Sequence, residues 1–325
     1  DEELLLSDLP LFHTFGRYLE MMGMLFWGGT YVFAGNPSLE TLLAGLREIR
    51  PTGLISIPHR WQQIRERALA AMSAGDEEGA REQAFREIVG DRLRWGLSAA
   101  GRLEPAAFRF FNRHGVALNS GFGMTEATGG ITMTPPGEYE DDSVGIPLPG
   151  VTARLSDVGE LQVQGPYVAR YLDDPPDPEE GYWLKTGDIF HQRPSGHFEI
   201  VDRIKDIYKN SRGQTVAPAA VERLLDGVPG VKRTFLVGDG RDYNVLLIVP
   251  DREDPILASS PSPDDTDEYF RQVITAANRE LAPFERVVNF ALLDRDFEAA
   301  REELTPKGTL RRKVLEEHFA ETIEG

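Results

Sequence analysis

Segments with helical apolar spacing alternate with β-rich runs at the start of this 325-residue chain, and then give way to short, turn-dense stretches. The spacing predicts helices over 39–49, 61–72 and 105–113, with β-rich runs at 53–57 and 116–118. Each such element must bury its apolar side against another layer, so this order predicts α/β layering. Between 131 and 200 the runs shorten, at 153–155, 159–163 and 197–201, and a small β-rich subdomain is expected there. Further on, a helix over 218–225, paired strands at 234–238 and 244–249, and a helix over 267–281 predict a compact α+β cap, with a last helix over 310–323. The acidic, Gly-flanked stretch 73–84 reads as a mobile helical insertion or linker, and 251–266, rich in Pro, Ser and Asp, as a surface loop. At about 150 residues per domain the length allows two domains, and 41% hydrophobic residues suffice for their cores.

Four short polar segments lie on this frame in a fixed order: GFGMTEATGG at 121–130, YWLKTGD at 182–188, VDRIKD at 201–206 and LTPKG at 304–308. In the first, Gly121 and Gly123 flank Phe122, which permits close backbone approach to a flat ligand and leaves an aromatic face to stack on it. Thr125 adds a hydroxyl for a phosphate, and Glu126 adds a carboxylate, the oxygen ligand that Mg²⁺ accepts when it also bridges phosphates. A Gly-rich turn before a strand is the plainer explanation. Asp188, after Lys185, Thr186 and Gly187, can accept hydrogen bonds from two ribose hydroxyls, although an ordinary turn explains it as well. Arg203 sets a fixed guanidinium between the carboxylates of Asp202 and Asp206, just past the expected strand at 197–201.

Taken jointly and in order, these segments resemble the adenylate-forming superfamily of acyl-CoA synthetases, luciferases and peptide-synthetase adenylation domains, most closely its long-chain fatty acyl-CoA ligase branch. The resemblance runs almost end to end, through PLFHTFG at 10–16, the stretch 51–64, GDRLRW at 90–95, residues 98–103, VGIPLPG at 144–150 and the segment 159–171. It implies that residues 1–203 are the remainder of a large adenylate-binding domain and that 204–325 are a mobile C-terminal domain, hinged near Lys205. It further implies that Gly121, Phe122, Gly123, Met124, Thr125, Asp188 and Arg203 bind the nucleotide, with Phe122 on adenine, Thr125 on the phosphates and Asp188 with Arg203 on the ribose. Glu126 would hold Mg²⁺, His13 would lie beside the acyl pocket, and Lys209 and Gly213 would face the thioester-forming state and the pantetheine tunnel. The expected reaction is ATP-dependent activation of a medium- to long-chain fatty acid, followed by transfer to coenzyme A with release of AMP.

Two departures stand out. The family's Ser/Thr/Gly-rich phosphate loop should precede His13, yet only twelve residues do so here and no such run occurs anywhere in the sequence. The expectation is a fragment that cannot adenylate by itself, since that loop cradles the β- and γ-phosphates. The family's C-terminal lysine, three residues after the Pro of the LTP segment, is Thr309 here. Lys307 is read as its replacement; alternatively the lysine function is missing and Arg311, Arg312 and Lys313 form only a solvated basic cluster. Two further readings stay open: a ligase that loads a carrier protein, and a silent module that keeps an AMP or acyl-adenylate pocket.

A formal charge of −18 argues against a nucleic-acid surface, because phosphate backbones require clustered Lys and Arg. Without cysteine there is no thiolate nucleophile, so thioester chemistry needs an external thiol, coenzyme A or a carrier phosphopantetheine. The apolar run 21–27 is too short to span a bilayer and is read as a core helix or strand, leaving peripheral membrane contact open. A cytoplasmic location is expected. His59, His114, His191, His197 and His318 have no metal-ligand spacing and read as surface or structural, while Trp61, Trp95 and Trp183 read as core packing.

Overall fold

The computed structural model describes residues 3–36, 38–72, 77–173, 181–258, 262–305 and 309–324. The chain divides into two compact units, Asp1–Thr186 with Phe190–Ile200, and Gly187–Ile189 with Val201–Gly325. Each is described by itself.

The first unit is built on a seven-stranded sheet of Leu4–Ser7 (β1), Thr30–Phe33 (β2), Gly53–Ser56 (β3), Trp95–Ser98 (β4), Ala117–Phe122 (β5), Thr132–Met133 (β6) and Ile146–Pro147 (β7), in the order β2-β1-β3-β4-β5-β6-β7. The five strands from β2 to β5 pair in parallel, and β6 and β7 add an antiparallel tail. β3 is buried at all four positions, as befits a parallel strand covered on both faces. The helices are Gly23–Trp27 (α1), Leu39–Ile49 (α2), Pro58–Ala71 (α3), Glu78–Val89 (α4) and Pro105–Arg113 (α5). Ser38 caps α2 by accepting the Thr41 N–H, and Pro leads α3 and α5, where its missing N–H costs nothing.

Trp61 of α3 is the centre of the main core. Its indole is fully buried, donates to the Leu97 carbonyl at 3.1 Å, and meets Phe111 edge-on at 4.9 Å. Gly96 of β4 lies beneath it: a Cβ there would fall 2.5 Å from the indole ring, so only glycine lets the helix sit this close to the sheet. A second sheet, Thr152–Leu155 (β8), Glu160–Gln164 (β9), Leu184–Gln192 (β10) and Phe198–Arg203 (β11), has the order β11-β10-β9-β8. It accounts for the expected β-rich stretch, and Leu161, Val163, Leu184, Phe190 and Phe198 fill its core.

The second unit holds Tyr208–Lys209 (β12) paired with Thr215–Val216 (β13), and a three-stranded sheet of Val231–Val237 (β14), Asn244–Pro250 (β15) and Val287–Leu292 (β16), with β15 in the middle. Its helices are Pro218–Arg223 (α6), Pro255–Ala258 (α7), Pro263–Ala277 (α8), Arg312–His318 (α9) and Ala320–Glu324 (α10). β15 is buried throughout and feeds two cores: Leu246 and Ile248 pack with Phe270, whereas Leu247 and Val249 pack with Phe235 and Phe319.

Several expectations need correction. The run 21–27 is helical, but only Met24 is buried; Leu25, Phe26 and Trp27 are 67%, 86% and 71% exposed, because so short a helix turns one side inward. Of the two readings of 73–84, the helical one holds from Glu78, where α4 begins, although its Phe85 and Val89 are buried; residues 73–76 lie outside the described residues. The expected loop 251–266 contains α7 and the start of α8, which Ser262 caps and two acidic residues favour at its N-terminus. The last helix breaks into α9 and α10 at Phe319. Trp61 is core, whereas Trp95 and Trp183 are only partly buried and Trp183 lies under the Arg154 guanidinium. Arg312 is not solvated: it pairs with Glu222 at 2.7 Å and lies over Phe235.

Buried polar groups collect at the carboxyl ends of β1 and β3. Ser7 donates to Glu20, Ser56 donates to Asp8 at 3.1 Å, and Arg60 pairs with Asp8 at 3.2 Å. Glu20 sits in the π-helical segment Phe15–Met22 with no exposed surface, and burial pushes its carboxyl up to about 9, with Asp8 adding to the rise. In the folded state it therefore keeps a proton that the unfolded chain releases near its ordinary 4.5, so stability declines as pH rises from there to about 9. Urea midpoints taken near pH 5 and near pH 9 should fall in the native chain and stay nearly level in Glu20→Gln; an equal fall in both would show that Glu20 does not carry the slope.

Candidate functional site

The loop joining β5 to β6 carries the first group of candidate residues. Gly121 pairs with Met133 and Phe122 with Thr132, so the strand keeps its ladder up to Phe122. The chain then closes on itself: the Ala127 and Gly129 N–H groups donate to the Met124 carbonyl at 3.1 and 3.0 Å, and the Ile131 N–H donates to the Phe122 carbonyl at 2.9 Å. This closure explains Gly123 better than ligand approach does. A Cβ on it would fall 1.8 Å from the Gly129 carbonyl oxygen, whatever lies outside the loop. Phe122 is partly buried, with its ring edge-on to Phe190 at 5.0 Å.

One turn of 3-10 helix, Thr125–Ala127, presents Thr125 to solvent, leaves Glu126 half-buried and buries Ala127. The segment after β9 is laced onto this turn by three hydrogen bonds. Thr128 Oγ1 donates to the Tyr167 carbonyl at 2.9 Å, the Ala169 N–H donates to the Glu126 carbonyl at 2.6 Å, and the Tyr171 hydroxyl donates to the Glu126 carboxylate. The His13 segment also reaches this loop, since a Cβ on Gly129 would lie 3.5 Å from the Thr14 Cβ. His13 itself is half-buried at the turn that opens the π-helical segment, where its carbonyl accepts the Arg17 N–H at 2.9 Å.

The second group lies in the second unit. Asp188 follows Gly187, which holds a φ of +75° within β10, so this segment is the interior of a strand and not the ordinary turn that its sequence allows, and the Asp188 carboxylate pairs with Arg203 at 3.3 Å. Burial pushes the Asp188 carboxyl above its ordinary range, and the Arg203 guanidinium pulls it back. Lys205 is exposed in the turn that follows, in which the Asp206 N–H donates to the Arg203 carbonyl at 3.0 Å. Buried Asp202 ties this turn to α6 by accepting the Arg203 N–H at 2.7 Å and the Ala219 N–H at 2.9 Å. Lys209 is exposed on β12, and Gly213, at φ +75°, turns the chain back into β13. Beside that turn is an open cavity of about 150 Å³ lined by Arg212, Gln214, Asp242, Tyr243, Phe284 and Arg286, among others. Among the described residues neither Arg212 nor Arg286 has a carboxylate partner.

Lys307 lies outside the described residues. Its flanks are fixed: Leu304 bridges to Leu310, the Thr305 N–H donates to the Thr309 carbonyl at 2.8 Å, and Thr309 is exposed. Below them the fully buried carboxylate of Glu303 accepts from Arg295 at 2.6 and 2.7 Å and is paired with His318, interactions that hold it down to about 2. No group of three or more metal-ligating side chains occurs among the described residues. A single carboxylate such as that of Glu126 is compatible with Mg²⁺, which takes few protein carboxylates and draws its other oxygens from phosphates and water. Tyr171 and Thr128 were given no role from the sequence, and Asp202 was read only as a carboxylate beside Arg203; Tyr171 lies in a segment that carried the family resemblance, but its partner is 45 positions away. The cavity residues are scattered along the chain and gave no signal.

The closed glycine loop and the Asp188–Arg203 pair are two of the segments on which the sequence resembles adenylate-forming enzymes. Residues 1–171 match the family described as AMP-binding enzyme, residues 205–325 match the AMP-binding enzyme C-terminal domain, and the chain belongs to the AMP-binding enzyme family. It is similar to the long-chain-fatty-acid–CoA ligase FadD15 of Mycobacterium bovis, at 27% identity over 99% of this chain and 62% of that protein. It is also similar to human long-chain-fatty-acid–CoA ligase 6, at 27% identity over 99% of this chain and 54% of that protein. The chain thus spans a little over half to three fifths of these curated relatives. Two solved structures share its fold: the adenylation domain of a Mycobacterium chelonae carboxylate reductase (TM-score 0.72, 24% identity, 99% of this chain and 54% of that one) and ATP-bound MatB from Rhodopseudomonas palustris (TM-score 0.74, 21% identity, 99% and 61%). No helix among the described residues is long and apolar enough to cross a membrane.

The closed loop makes its own prediction. Gly123→Ala must open the Met124–Gly129 turn at a cost of about 1–3 kcal/mol, so AMP affinity should collapse while the far-UV circular dichroism spectrum stays native. Unchanged affinity would show that the loop does not shape the site.

Proposed function

We propose that the protein activates a carboxylic acid of the medium- to long-chain fatty acid class with ATP and passes the acyl group to coenzyme A. The observation that carries this reading is the closed loop beyond β5, which presents Thr125 and Glu126 at the carboxyl edge of a parallel sheet, where such sheets bind ligands. The names of the curated relatives support the class of acid.

In the first half-reaction a substrate carboxylate oxygen attacks the α-phosphorus of ATP, the bond to the β-phosphate oxygen breaks, and pyrophosphate leaves with the electron pair. Phe122 would stack on adenine between Gly121 and Gly123, Met124 would line the same loop, Thr125 would donate to phosphate, and Asp188 with Arg203 would hold the ribose. Glu126 would hold Mg²⁺, which when bound neutralises phosphate charge. His13 would border the acyl pocket and Lys307 would serve as the cation toward the reacting carboxylate. In the second half-reaction a thiolate attacks the acyl carbon and AMP departs. Lys205 is the proposed hinge between the two states, after which Lys209 and Gly213 serve thioester formation.

The cavity beside Gly213 favours coenzyme A over a carrier protein. Two guanidiniums that have no carboxylate partner among the described residues, set with Tyr243 and Phe284 in a lining that also holds Asp242, suit a phosphorylated nucleotide handle, which a carrier-bound phosphopantetheine lacks. Thr309 in place of the family lysine favours a second reading, a module that keeps the acyl-adenylate pocket without turnover.

Calorimetric titration of the chain with a non-hydrolysable acyl-adenylate mimic tests the nucleotide site. Tight binding that Asp188→Ala weakens at least tenfold is expected, and a folded chain that does not bind the mimic would sink the proposal. In an adenylation assay of the complete protein, pyrophosphate release should fall at least a hundredfold in Glu126→Gln.

A further inference from the structure

Among the described residues Glu126 has one side-chain partner, and it comes from a segment that the proposed chemistry leaves unused. The Tyr171 hydroxyl donates to Oε1 of the Glu126 carboxylate, leaving Oε2 outside that bond. Two further bonds bring the tyrosine there: the Ala169 N–H on the Glu126 carbonyl at 2.6 Å and the Thr128 hydroxyl on the Tyr167 carbonyl at 2.9 Å. The Tyr167 hydroxyl in turn donates to the Pro149 carbonyl at 3.3 Å, so the far end of this segment is anchored as well. Tyr171 is 58% exposed and belongs to no core cluster, so its ring contributes little to packing.

We propose that Tyr171 is a positioning residue that fixes the rotamer of Glu126, so that Oε1 stays on the hydroxyl and Oε2 is directed to the divalent cation of a metal–nucleotide complex. This rests on the metal role proposed for Glu126. A carboxylate that can rotate must lose that freedom when it binds a cation, whereas one already held by a donor has lost it in advance. Hydrogen bonds to metal-ligating carboxylates act this way generally, and removing them weakens metal binding by about 10- to 100-fold. Mg²⁺ suits the arrangement because it asks the protein for one or two carboxylates and takes its remaining oxygens from phosphate and water.

The test is a calorimetric titration of the chain with ATP, once in EDTA and once with excess Mg²⁺, for the native chain, Tyr171→Phe and Glu126→Gln. The native chain should bind ATP more tightly with Mg²⁺. Tyr171→Phe should match it in EDTA and lose about tenfold of the Mg²⁺-dependent gain, and adding it to Glu126→Gln should cost nothing more. Thermal melting controls for folding, and the exposed ring predicts an unchanged melting temperature. If Glu126→Gln loses the gain while Tyr171→Phe keeps it, the positioning role is overturned and the metal role of Glu126 stands. If Glu126→Gln keeps the gain, or the native chain shows none, both readings fall.

Discussion

Burial of a parallel sheet on both faces is the constraint on which the rest of the first unit depends. Strands β1, β3, β4 and β5 run in one direction, so all of them end at the same edge, and that edge must dispose of backbone and side-chain polar groups that no longer have a ladder. Ser7, Ser56 and Ser98 are the last residues of three of these strands and are all buried. Two of them spend their hydroxyls on Glu20 and Asp8, and β5 continues into a loop that satisfies its own backbone. The concentration of acids, hydroxyls and tight turns at one edge is thus a product of the topology, and the candidate nucleotide loop is one of its members.

The parts of this arrangement that sequence made legible are those set by local rules. Helices over Leu39–Ile49 and Pro105–Arg113 follow from apolar spacing, and both were read at those bounds. The strand at Asn244–Pro250 is legible from the unbroken apolar run that follows Asn244. What escaped has a common cause. Whether the 21–27 run lies inside or outside depends on which neighbours reach it, and whether Arg312 is solvated depends on Glu222, 90 positions away. Spacing along a chain carries no information about either.

The candidate site divides in the same way. Gly123, Thr125, Glu126, Asp188 and Arg203 were visible because glycines, hydroxyls and acids recur in short segments whose order is informative. The reason for Gly123 was not visible: its own loop carbonyl excludes a side chain, which is a contact six positions on. Tyr171, Asp202 and the Arg212–Arg286 cavity are assembled by tertiary packing, and no residue in them is unusual where it stands in the sequence.

β15 divides its side chains between two separate cores, Leu246 and Ile248 to one and Leu247 and Val249 to the other. Because side chains alternate along a strand, a single inserted or deleted residue within it would exchange the two sets and leave neither core with complementary shapes. Length variation in this half of the chain is therefore confined to the turns at the ends of the strand, and the unit must evolve by substitution around an axis that cannot change its count.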